Sequence, residues 1–78
     1  MLRYEMMDNT EDRITYRYFP EGKEFFGSIS VHKSDKSIVE QVIAPNDEFK
    51  WYFFHMYKRI RQYIDEDKFQ SNGIVAWY

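Results

Sequence analysis

The run Asn46–Ile64, NDEFKWYFFHMYKRIRQYI, constrains this 78-residue chain more than any other stretch. It is the only long segment with helical periodicity. At about 100° per residue, Phe49, Phe53, Met56, Ile60 and Tyr63 fall on one side, flanked by Tyr52, Tyr57 and Ile64. Pro45 bars continuation of the preceding element. Asn46 is placed to cap, and Asp47 and Glu48 lie where the helix dipole favours negative charge. Lys58, Arg59 and Arg61 lie toward the other end, and Asp65-Glu66-Asp67 marks where the helix stops. An apolar stripe of this kind needs a sheet to cover.

The remaining segments supply one. Leu2–Met7 alternates, with Leu2, Tyr4 and Met6 on one face; the polar stretch Asp8–Asp12 breaks it. In Arg13–Phe19, Ile14, Tyr16 and Tyr18 share one face, and Arg13, Thr15 and Arg17 the other. Pro20–Lys23 is a turn. Phe25–Lys33 reads as a third strand, with Phe25, Ile29 and Val31 inward and Phe26, Ser28, Ser30 and His32 outward. Ser34–Lys36 joins it to a fourth strand, Ser37–Ala44, whose facing is ambiguous. After the helix, Ser71–Gly73 is a turn, and Ile74–Tyr78 is apolar enough to be a final strand.

The order β-β-β-β-α-β predicts an α+β fold: a mostly antiparallel β-sheet of about five strands with one long helix packed on one face, in a single domain over residues 1–78. A right-handed helical crossover places the last strand parallel to a neighbour. Phe49, Phe53, Met56 and Ile60 against Tyr16, Ile29 and Val31 form the expected core.

A chain this short buries only about 60% of its unfolded surface. It carries seven Phe, seven Tyr and two Trp, so some rings must stay outside. Trp51, Phe54 and Lys58 cluster opposite Phe49 and Ile60, with Arg61 nearby. Exposed rings beside cations are the composition of binding hot spots. Two readings stand side by side here. Either this patch, extended by the terminal Trp77, binds a partner, or the terminal segment or the loop after the helix folds over Trp51 and Phe54. The outer sheet face, through Arg13, Arg17 and His32, is a rival surface for single-stranded nucleic acid. On that face the alternation separates Arg17 from Tyr16 and Tyr18, and Glu5 and Glu40 fall among the arginines.

Support for catalysis is thin. Ser30 and His32 share a strand face about 6–7 Å apart, beyond direct hydrogen-bond reach. His55 has no second histidine or cysteine at a metal-ligand spacing. There is no GxxxxGK[ST] or GxGxxG sequence, so no cofactor is expected. Zero cysteines, a net charge of −2 and no long apolar run point to a soluble cytoplasmic protein, with no leader in MLRYEMMDN and no membrane partner. The leading expectation is a non-enzymatic interaction module whose partner is another protein or a second copy of itself. A blocker of a larger basic target is also compatible with the size and charge.

Overall fold

The computed structural model describes residues 1–76. Five strands form one antiparallel sheet: β1 (Leu2–Asn9), β2 (Arg13–Pro20), β3 (Gly27–His32), β4 (Ile38–Val42) and β5 (Asn72–Val75), in the order β4-β3-β2-β1-β5. One helix, α1 (Trp51–Glu66), lies across one face. This is the α+β architecture expected from the sequence.

The alternation in β1 and β2 decides which face is covered. Leu2 and Tyr4 on β1, Ile14, Tyr16 and Tyr18 on β2, and Ile29 and Val31 on β3 are buried beneath α1. From the helix come Phe53, Met56, Ile60 and Tyr63. Rings interlock edge-to-face, with Tyr18 against Phe53 at 6.1 Å and Tyr4 against Tyr16 at 5.6 Å between centroids. The phenols find partners: Tyr4 with Tyr63, and Tyr16 donating to the Gln70 carbonyl at 2.6 Å. Burial pushes the Tyr4, Tyr16 and Tyr18 hydroxyls well above the usual phenol range, which keeps them neutral donors inside the core. Gly73 pairs with Tyr4, and a Cβ there would stand 2.5 Å from the Tyr4 oxygen. The absent side chain is the space the tyrosine pair occupies.

Four expectations are corrected. First, β5 is antiparallel to its neighbour β1, not parallel. Strands β2, β3 and β4 are added on one side of β1, which leaves the slot on its other side open. The 16-residue helix is about 24 Å long, enough to span the roughly 19 Å of four strand spacings. The chain therefore crosses the whole sheet.

Second, the helix begins at Trp51 rather than Asn46. Ala44 accepts from the Asp47 N–H, Asp47 accepts from the Lys50 N–H, and Lys50 adopts a left-handed φ of 61°. Two turns therefore precede the first helical bond. Asn46 does not cap; its amide reaches the Pro20 carbonyl. Asp47 caps instead. Only 3% exposed, its carboxylate accepts from the N–H groups of Tyr52 (3.2 Å) and Phe53 (2.9 Å) and from the Tyr18 hydroxyl (3.1 Å).

Third, because those turns detach it from the helix, Phe49 leaves the core and is exposed. Fourth, Phe25 precedes β3 and is also exposed, while Ile29 and Val31 are buried as expected. β4, whose facing was open, is exposed along its whole length. Trp77 and the last residue of the expected fifth strand, Tyr78, lie outside the described residues.

Helix α1 ends where the acidic cluster predicts. Asp67 is left-handed at φ 52°, its N–H donating to Ile64, and the Lys68 N–H donates to Tyr63.

Candidate functional site

The outward face of α1 is built by helical spacing alone. Trp51, Phe54 and Lys58 stand at i, i+3 and i+7, with Arg61 one turn on, so about 15 Å of helix carries all four. The structure brings these residues together and leaves the rings outside: Trp51 is 65% and Phe54 57% exposed. Neither the loop after the helix nor β5 covers them. That loop turns to the opposite end, where Phe69 packs on Tyr63 and the Ser71 carbonyl accepts from the Met6 N–H.

The patch is larger than the sequence suggests. Phe49, expected in the core, is 66% exposed and places its ring 5.6 Å from that of Trp51. The signal for this was the proline and the acids before it, which mark a turn as readily as a helix start. The deciding contact, Asp47 buried under Tyr18, is tertiary. Half-buried His55 lines the patch together with Trp51, Phe54 and Lys58. Its imidazole is held below the usual histidine range by burial, then by the Lys58 charge.

Further along, the Arg61 guanidinium lies over the Tyr57 ring at 5.0 Å, and Lys36 pairs with Asp65. Tyr57 in turn donates to the Lys36 carbonyl at 2.5 Å, so this end of the face is tied to the turn before β4. Lys58 makes no ion pair among the described residues. The stripe thus runs from bare rings to available positive charge. No deep cavity is involved; the chemistry it offers is ring contact and cation placement.

The outer sheet face differs. Arg13 pairs in register with His32, and Arg17 with Ser28, so the residues of the rival surface do share a face. Tyr16 and Tyr18 stay on the opposite, buried side from Arg17, as the alternation indicates, but Phe19 and Phe26 join the arginines. The Arg3 guanidinium sits 3.8 Å over Phe19 and that of Arg17 4.4 Å over Phe26, and the two rings are 5.5 Å apart. Acids fall among these cations: Glu5, opposite Arg17 and bonded to Arg3 at 2.9 Å, and Glu40, opposite Ser30, as the sequence indicated, and also Asp8, opposite Thr15, which the sequence placed in a turn. The Ser30 hydroxyl is engaged by Thr15 at 2.7 Å, so its hydrogen bond goes across the sheet rather than to His32. His32 is exposed beside Glu11, Asp12 and Lys33. Among the described residues, no three His, Asp or Glu side chains gather as a metal-binding group, and no helix is long and apolar enough to cross a membrane.

Compared with protein-family models, with curated proteins and with solved structures, the chain matches none.

Proposed function

We propose that this chain is a small non-enzymatic interaction protein that docks a protein partner on the outer face of α1. One observation carries the reading: Phe49, Trp51 and Phe54 form a contiguous set of large, uncovered rings on a chain with more rings than its small core can hold. Such rings anchor in a partner's pockets, while rim charges set register and on-rate. Lys58 and Arg61 supply the rim cations of this face. The lack of cysteine suits a reducing compartment such as the cytoplasm.

The test is affinity capture with the native protein and with Trp51→Ala/Phe54→Ala, each checked for fold by circular dichroism and for mass by light scattering. Loss of a bound protein or a drop in mass for the variant is the expected result. A folded variant that keeps every bound protein and its native mass overturns the proposal.

A second reading, single-stranded nucleic acid on the outer sheet face, draws on the Arg3–Phe19 and Arg17–Phe26 stacks. It is the weaker one, because Glu5, Asp8 and Glu40 balance Arg3, Arg13 and Arg17 there. Salt separates the two readings. Phosphate-driven binding falls steeply with ionic strength, and ring-anchored binding does not.

A further inference from the structure

From the arrangement of charge and rings along α1, we infer that the occupant of the helix face is a second copy of this chain, packed antiparallel about a two-fold axis that passes between Phe54 and His55. The inference rests on the helix face being the binding surface and names what binds it.

The stripe is self-complementary in that arrangement. Trp51 and Lys58 stand on one helix face, equally spaced about the midpoint between Phe54 and His55, each about 5 Å from it along the axis. A two-fold rotation there brings Trp51 of each copy onto Lys58 of the other. The exposed ring at one end meets the ammonium at the other, in two equivalent cation–π contacts. Phe49, beside Trp51, then lies toward Arg61 of the second copy. Phe54 meets the Phe54–His55 centre. Sliding the axis to Lys58 would oppose two like charges and leave Trp51 facing Asp65, an anion against a ring face.

Area agrees. At roughly 150–250 Å² per aromatic side chain, the exposed fractions of Phe49, Trp51 and Phe54 amount to about 300–450 Å² per copy. Two copies give about 600–900 Å² from rings alone. With His55, Lys58 and Arg61 added, the contact reaches the ~1,000 Å² at which specific interfaces begin. Two-fold pairing also needs no further gene product to shield rings that would otherwise make the monomer sticky.

Because the chain has no cysteine, single introduced thiols report the geometry without background. Along the axis, two copies of residue 55 would be separated by about 1.5 Å, and two copies of residue 62 by about 22 Å. The experiment uses the full chain, with sedimentation velocity over a concentration series and oxidation of His55→Cys and Gln62→Cys separately, helix content being checked for each variant. The expected results are a native mass twice the 9.7 kDa chain, a monomer for Trp51→Ala/Phe54→Ala, and at least tenfold weaker pairing for Lys58→Glu. His55→Cys should cross-link and Gln62→Cys should not.

A native protein that stays monomeric at its highest soluble concentration overturns the inference, as does Gln62→Cys cross-linking as readily as His55→Cys, which would mean a parallel pair. The two proposals fail separately. A native monomer that captures another protein through Trp51 and Phe54 removes the self-pairing and leaves the docking face. A folded double variant that loses neither mass nor any bound protein removes both.

Discussion

Rings reach the surface on both outer faces of this molecule, and the two faces treat them differently. On the sheet, Phe19 is buried under the Arg3 guanidinium, and Phe26, 45% exposed, packs against Phe19 and under the guanidinium of Arg17. On the helix, Phe49, Trp51 and Phe54 touch one another or the edge of the core and are otherwise bare. A guanidinium over a ring shields part of it from water and is itself held by it, so the sheet face covers part of its own aromatic surface. The helix has cations too, but Lys58 stands a full two turns from Trp51 on the same strip and does not fold back over it. Aromatic content therefore does not distinguish a contact surface from a self-contained one; whether the chain supplies its own cover does.

Two adjacent residues separate covered from uncovered rings most strongly. Phe53 is buried and Phe54 exposed. Phe53→Ala should cost about 3–5 kcal/mol in denaturant unfolding, close to the whole stability of a small domain. Phe54→Ala should stay within about 0.5 kcal/mol at concentrations where the chain is monomeric. Similar losses at both positions would show that the helix is rotated from the phase that buries Phe53 and exposes Phe54.

The comparison also depends on where the helix begins, since that frees Phe49. Asp47→Ala strands the Phe53 N–H and the Tyr18 hydroxyl and should cost about 2 kcal/mol, against less than about 0.5 kcal/mol for Asn46→Ala. The reverse order would restore Asn46 as the cap and return Phe49 to the helix.

Next in size is the roof itself. Arg17→Ala should cost about 1 kcal/mol through loss of its stack on Phe26, while Lys58→Ala leaves monomer stability unchanged within about 0.5 kcal/mol, both read from unfolding midpoints. If the two are equal, the contrast between covered and uncovered rings has no energetic content.

The smallest effect is a titration. His55 has a folded pKa lowered by burial and by Lys58. Its unfolded form therefore takes up a proton first as pH drops below about 6.5, and stability falls from there downward through the folded value. His55→Gln should flatten the melting-temperature profile between about pH 6.5 and the onset of carboxylate titration. An unchanged profile would place His55 in water, outside the patch.

Much of this was legible in the residues. The inward set of β1, β2 and β3 follows from alternation, because side chains on a pleated strand alternate faces whatever surrounds them. Phe53, Met56, Ile60 and Tyr63 follow from the 3.6-residue repeat. Trp51, Phe54 and Lys58 were identifiable as the outward stripe by the same geometry. Periodicity is a local property, and the sequence carries it in full.

What the tertiary structure decided has a common cause: each case depends on a partner distant in the chain. The helix start shifted because Asp47 is buried against Tyr18, 29 residues away. Phe49 moved outside with it, turning a core residue into part of the patch. β5 went antiparallel beside β1 because that edge was vacant and the helix was long enough to reach it. Phe19 is hidden because Arg3 on the neighbouring strand lies over its ring. A single chain's spacing states which residues share a face; only the packed molecule states what, if anything, lies on top of that face.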